Sequence, residues 1–251
     1  MGIINFAHGE LYMLGAFMLW WLYGQHGLAF PVAVAITAIA IGGLGIGLER
    51  GIFRPLRRQP MMALLASIGL AFALQVALLL AFGTIPKVVP AAFPALIEAA
   101  GFAISMQRIS IIVVSVLLLI LLGVFLQRTK PGLAIFACAE DPVAASLQGI
   151  SLNTSSAITM GLGCGLAGVA GALAAPIVII EPYMGVSVIL KAFMIVIIGG
   201  AGSIRGALVM GFVLGFLESG FSTMVDPVLM VLIELVIMLV VLVVRPEGLF
   251  K

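Results

Sequence analysis

Long apolar runs alternate with short polar breaks from one end of this 251-residue chain to the other. Crossing a bilayer as a helix takes about 20 mostly apolar residues. Runs near that length occupy 10–24, 29–48, 62–82, 109–127, 155–176, 186–200, 205–222 and 227–244. They predict an all-α polytopic membrane protein of about eight transmembrane segments. The run 186–200 is short and ends in Gly199-Gly200-Ala201-Gly202, which reads as a half-helix, and the stretch 1–9 is too short to span.

One break differs from the rest. Between residues 128 and 153 lies a polar island containing Asp141-Pro142-Val143-Ala144-Ala145-Ser146-Leu147-Gln148-Gly149-Ile150. Asp141 can accept bonds from the first free N–H groups of a helix. Pro142 suits the first helical position, where its missing N–H costs nothing. Gly149 can adopt the left-handed conformation that closes a helix. Val143, Leu147 and Ile150 follow i, i+4, i+7 spacing and give one apolar stripe. The spacing predicts a short capped helix outside the bilayer, a feature a membrane protein needs when a soluble partner drives it.

Composition agrees with the spans. The chain is 63% hydrophobic and 9% charged, with a mean hydropathy of +1.33; a soluble domain is about 25% charged. A net charge of +2 leaves no nucleic-acid footprint. Cys138 and Cys164 lack metal-ligand spacing and read as small apolar packing residues. The 30 glycines suit closely packed transmembrane helices. Basic residues orient the spans. Alternating the eight runs puts Arg50, Arg54, Arg57, Arg58, Arg128, Lys130, Arg205, Arg245 and Lys251 on one side, which is then cytoplasmic and carries the island. The opposite side receives Gln25-His26-Gly27, the loop 83–108, Glu181-Pro182 and Asp226-Pro227.

Several polar residues sit where a bilayer makes them costly. An ionisable group at membrane depth costs about 2.5–3.5 kcal/mol on the insertion scale. Asn5, His8 and Glu10 lie at the start of the first run, and Lys191, Glu218 and Glu234 lie inside later ones. Asn5 to Glu10 reads either as part of a polar path or as an interfacial helix cap, and Lys191 with Glu218 either as an interhelical ion pair or as substrate contacts. A metal or proton-relay reading of His8 and Glu10 lacks a matching cluster elsewhere. The stretch Ile3 to Glu10 echoes Ile197 to Gly206, each followed by an apolar run of the same direction. This is either a parallel internal repeat or two polar and glycine-rich helix starts that look alike. The chain has no phosphate-binding Gly-rich loop with Lys-Ser/Thr, no nucleophile–base pair and no HExxH motif, so nothing supports an enzyme or a built-in ATP site.

Taken together, these motifs resemble one family. Asn5-Phe6-Ala7-His8-Gly9-Glu10 with Tyr12-Met13-Leu14-Gly15 is similar to the opening of the branched-chain amino-acid ABC transporter permeases of LivH type. Ala137-Cys138-Ala139-Glu140-Asp141, Ala145-Ser146-Leu147 and Gly149-Ile150 resemble that family's cytoplasmic loop. Glu181-Pro182-Tyr183-Met184-Gly185, Lys191-Ala192-Phe193, Gly199 to Ala207 and the closing Arg245-Pro246-Glu247-Gly248-Leu249-Phe250 follow in the family's order. The resemblance implies a single ABC importer permease domain over 1–251, in the inner membrane, without cofactor or metal. It implies as partners two ATP-binding subunits, a second related permease and a periplasmic or lipid-anchored binding protein. It implies branched-chain amino acids as substrates, with urea or short amides in close relatives. Glu140, Asp141, Pro142, Ser146, Leu147, Gly149 and Ile150 are then expected to couple to the ATPase. Asn5, His8, Gly9, Glu10, Gly199, Gly200 and Gly202 are expected along the translocation path.

Two departures from the family pattern stand out. The family usually has one more apolar helix before the Asn5 stretch, so the chain looks N-terminally truncated. Its loop commonly has arginines where this chain has Leu133 and Phe136. A gradient-driven transporter or channel, active without an ATPase, and a non-transporting membrane scaffold are the rival readings.

Overall fold

The computed structural model describes residues 5–99, 102–221 and 226–250. Ile3 and Ile4 of the echoed stretch, the end of the run 205–222 and Lys251 lie outside the described residues. The chain divides into two compact units, Met1–Gly185 and Val186–Lys251.

In the first unit, α1 (His8–Leu19) runs on into a π-helical turn, Trp20–Gln25. Helix α2 (Phe30–Leu48) continues through a second π-helical turn, Glu49–Phe53, and a last turn, Arg54–Leu56. Pro55 accounts for that widening: it has no N–H for the carbonyl four residues back, and its ring crowds that carbonyl. Helix α3 (Pro60–Phe82) begins on a proline and ends at Gly83, whose φ is 77°. An antiparallel hairpin follows, β1 (Leu96–Ala99) with β2 (Phe102–Ser105), Leu96 opposite Ser105. Then come α4 (Met106–Arg128), α5 (Lys130–Glu140), α6 (Pro142–Leu147) and α7 (Leu152–Ala174). The later helices are α8 (Met184–Gly199), α9 (Ile204–Phe221) and α10 (Pro227–Val244).

Every one of the eight apolar runs holds a helix. Among the described residues, five helices are long and apolar enough to cross a membrane, and Met184–Gly199 and Leu229–Val244 are shorter apolar helices. At about 1.5 Å per residue, a 16-residue α8 falls short of a hydrocarbon core about 30 Å thick. The fold is thus largely helical and membrane-associated. The hairpin is an addition to the all-α expectation, in a loop whose four-residue strands carry little periodic signal.

Small residues set the core of the first unit. Helix α7 packs against α1 and α2 at backbone distance. A Cβ added to Gly15 would stand 2.7 Å from Gly168 Cα, and one added to Gly45 would stand 2.6 Å from Cys164 Cβ. Membrane helices lack a hydrophobic drive to associate and rely on such close packing. Met13, Phe17, Leu19, Val169, Leu173 and Ile180 are buried beside these contacts. Cys138 and Cys164 are both buried and free, the packing role expected of them.

Loops that alternation assigns to one side meet one another. At the end that alternation assigns outside, Lys87 and Ile180 exchange backbone bonds of 2.9 and 3.0 Å, and the Lys87 ammonium lies 5.2 Å from the Trp20 ring centre. At the opposite end, Arg57 donates to the Asn153 side chain at 3.1 Å, and Phe6 N–H donates to Ser67 Oγ at 3.1 Å.

In the second unit, Met194, Ile198, Met210 and Leu214 are buried with Val231, Leu235 and Met238 packed on them. The C-terminal turn closes onto the end of α8, where Leu249 N–H donates to Ile198 O at 2.9 Å.

Candidate functional site

The polar island folds into two helices joined at Asp141. Thr129 forms the first corner: its hydroxyl donates to Phe125 O at 2.6 Å and accepts from Gly132 N–H at 3.2 Å. This caps α5 as it ends α4. Sequence reasoning missed α5, although Thr129 and Pro131 are the cap and first-turn signals that mark it.

Helix α6 is built as its sequence predicts. Asp141 Oδ1 accepts from Val143 N–H at 2.8 Å and from Ala144 N–H at 3.0 Å. Gly149 has φ 81°. Ile150 N–H reaches Ala145 O at 3.1 Å and Gly149 N–H reaches Ser146 O at 3.0 Å, the paired bonds of a Schellman close. Ser146 Oγ donates back to Val143 O at 2.8 Å, and Glu140 ends α5 beside the cap. The helix is anchored by the buried Ala145. Its apolar positions face outward: Val143 is 67% exposed and Leu147 84%. Ile150 lies beyond the helix and is half-buried. Leu133 and Phe136 of α5 are also exposed, at 54% and 44%.

A cavity of about 250 Å³ opens at the same end of the unit, lined by Asn5, His8, Glu49, Ser156, Thr159 and Gly163 among others. Asn5 Oδ1 accepts from Ala7 N–H at 3.0 Å, so Asn5 both caps the lead-in to α1 and lines the cavity. Glu49 is buried and accepts from Arg57 Nη2 at 2.6 Å. Sequence reasoning missed Glu49 because it sits beside a cluster of arginines. Its separation from Arg57 by eight residues through a π turn has no simple helical signature.

The other expected path residues lie elsewhere. Gly9 and Glu10 are buried. Glu10 leaves the cavity to His8: its Oε1 accepts from Gln75 Nε2 at 2.8 Å. Its Oε2 has no hydrogen-bond partner and would stand 2.6 Å from a Cβ on Gly185. In the second unit, Gly199 and Gly200 are buried and Gly202 is exposed. Gly200 and Gly202 have φ of 97° and 94°, and the C-terminal turn at Gly248 lies against Gly200. Lys191 on α8 and Glu218 on α9 form an ion pair, with side chains 39% and 46% exposed. Among the described residues no group of three or more His, Cys, Asp or Glu could hold a metal.

Residues 1–243 match the family model described as "Branched-chain amino acid transport system / permease component". The chain is 34% identical over 262 residues to the high-affinity branched-chain amino acid transport system permease protein BraD of Pseudomonas aeruginosa, covering 98% of this chain and 85% of that protein. It is 32% identical over 262 residues to the corresponding LivH protein of Escherichia coli K12, with the same coverage. To LivH of Salmonella typhimurium it is 30% identical over 263 residues, again with 98% and 85% covered. No solved structure matches the chain.

Proposed function

This chain belongs to the branched-chain amino-acid transport permease family, and from that premise we propose that residues 128–153 are where it takes its drive from separate ATP-binding subunits. It is a multi-pass inner-membrane permease component of an ABC import system and has no ATP site of its own. Its full partner set is two ATP-binding subunits, a second related permease and a substrate-binding protein. Its cargo is branched-chain amino acids, and the family match over residues 1–243 supports reading both compact units as one permease domain, with the eight apolar runs as its membrane segments.

The observation that carries the coupling role is α6 itself. It is too short to be stable alone, yet it is capped at both ends and turns Val143 and Leu147 outward. An apolar stripe on a held helix is what a partner's groove recognises. Asp141, Pro142 and Gly149 shape the helix, Ser146 closes its turn, Leu147 makes the contact, and Glu140 and Ile150 flank it. Asn5 and His8 contribute to the path at the cytoplasmic cavity, and Gly9 and Glu10 deeper in the bundle, with Gly199, Gly200 and Gly202 on the second unit.

The test is uptake in vesicles reconstituted with ATP-binding subunits, a second permease and a loaded binding protein. Leucine, isoleucine, valine and urea serve as alternative cargoes. Gly149→Val places a β-branched residue at positive φ, unwinds the close of α6 and is expected to remove ATP-driven uptake. Full uptake by that variant, or uptake by the wild-type chain without ATP-binding subunits, refutes the reading.

A further inference from the structure

Arg57 joins three features at the cytoplasm-assigned end of the first unit. Its Nη2 donates to Glu49 Oε1 at 2.6 Å and its Nη1 donates to Asn153 Oδ1 at 3.1 Å. Glu49 opens the π-helical turn that continues α2, and it lines the cavity with Asn5 and His8. Asn153 is the second residue of α7, and only residues 148–151 separate α6 from that helix. Arg54, one turn before Arg57, donates to the Asn153 carbonyl at 3.4 Å. One planar side chain therefore ties the root of the α6 loop to an acidic wall of the cavity.

Three properties make this a mechanical link as well as a surface ion pair. The guanidinium is a rigid fork whose two arms end on different helices, so a shift of either helix pulls on the other. Glu49 is only 8% exposed at its side chain, so its bond to Arg57 is poorly screened and costly to leave unmade. The π-helical turn is also a place where a helix can give, and such turns concentrate at functional sites.

We propose that Arg57 is a positioning residue that carries displacement of the α6 loop through Asn153 to Glu49 and so resets the cavity at Asn5 and His8. The proposal rests on α6 being the contact for the ATP-binding subunits. When a partner moves α6, the start of α7 moves with it. Arg57 follows Asn153, and its hold on Glu49 changes with it.

The experiment reads the cavity in the assembled transporter. Cys138 and Cys164 are replaced by alanine, Thr159→Cys is introduced at the exposed cavity wall, and the rate of thiol labelling is compared with and without ATP. The parent is expected to change its labelling rate on ATP addition. Arg57→Lys keeps the charge but reaches one partner only, so it is expected to lose that change, with uptake per ATP down about tenfold, the scale of one charge-assisted hydrogen bond. Asn153→Ala leaves the Arg57–Glu49 pair intact and is expected to behave alike; it decides the matter if Arg57→Lys does not assemble with the ATP-binding subunits. An unchanged ATP response in these variants, or no ATP response in the parent, overturns the proposal. Gly149→Val separates the two readings. If it abolishes the response while Arg57→Lys does not, only the role of Arg57 fails. If it leaves the response intact, the coupling role of α6 fails first.

Discussion

Removing the cap on α6 should loosen this helix by a definable amount. Six residues form too little helix to hold themselves, because the first turn fixes several residues for a single bond. Two bonds to Asp141 Oδ1, at 2.8 and 3.0 Å, satisfy N–H groups that otherwise have no intrahelical acceptor. Asp141→Ala leaves both to solvent and is expected to cost about 1 kcal/mol, which is about a fivefold loss of closed helix. Asp141→Asn keeps the acceptor, ranks equal as a cap and gives up only the charge–dipole term, about 0.3 kcal/mol at an exposed site in salt. Amide hydrogen exchange over residues 142–148, with the chain in nanodiscs and no partner present, measures this directly. The expected order of protection is wild type, then Asp141→Asn close behind, then Asp141→Ala, and ATP-driven uptake should follow it. If Asp141→Ala exchanges at the wild-type rate, the helix is held by the packing of Ala145 and the capping argument is refuted. If Asp141→Asn loses as much as the alanine variant, charge rather than the hydrogen bond is responsible.

Three further outcomes are expected. Lys191→Met leaves both Glu218 and the buried Glu234 without their cation, whereas Glu218→Gln still leaves Lys191 with Glu234, so folded yield is expected to fall more for Lys191→Met and to recover when both Glu218→Gln and Glu234→Gln are added to it; lack of recovery would rule out this charge cluster as the cause. Gly15→Ala drives a methyl against Gly168 and is expected to lower the unfolding temperature in detergent, whereas Gly47→Ala, with nothing within 4 Å, should be neutral or stabilising by about 0.5–1 kcal/mol. The proposed docking of the ATP-binding subunits on Val143 and Leu147, with the exposed Leu133 and Phe136 nearby in the chain, would be an apolar contact. Co-purification is therefore expected to persist from about 0.1 M to about 1 M salt, over which the screening length falls from about 10 Å to about 3 Å; loss at high salt would falsify that assignment.

What was legible in the sequence was what the bilayer or the local backbone dictates. Each of the eight apolar runs holds a helix, and a segment that crosses hydrocarbon must satisfy its own backbone bonds. Asp141, Pro142 and Gly149 were legible because each acts within a few residues of itself. Contacts across the chain were not. The Glu10–Gln75 bond spans 65 positions and the Arg57–Asn153 bond 96, and no periodicity encodes either. The polar stretch from Asn5 suggested that His8 and Glu10 share one path. On a helix of 3.6 residues per turn, two positions apart means about 200° of rotation, so His8 lines the cavity while Glu10 turns to Gln75. Helix α5 was hidden by Lys130-Pro131-Gly132, which reads as a break but occupies the first turn after the Thr129 cap.

The two ends of the first unit are held by different kinds of bond, and that difference bears on which end can move. At the outer end, Lys87 and Ile180 pair through their backbones, and Phe82 stacks with Phe17 at 5.3 Å and meets Trp20 edge-on at 5.6 Å. Backbone pairs and packed rings have few alternative arrangements. At the cytoplasm-assigned end, the links are side-chain bonds from Arg54 and Arg57 to Asn153, next to a widened helical turn and the cavity at Asn5 and His8. Long cationic side chains can exchange one acceptor for another without breaking the backbone, and water can serve the groups they leave at this exposed end. A push delivered at α6 therefore meets the adaptable end of the unit first. The glycine contacts between α7 and its neighbours, Gly168 with Gly15 and Cys164 with Gly45, leave no slack for bending within the helix core. On the proposed coupling, displacement entering at Asn153 would be taken up as movement of whole helices about the Lys87–Ile180 clasp, or by the π-helical turn at Glu49.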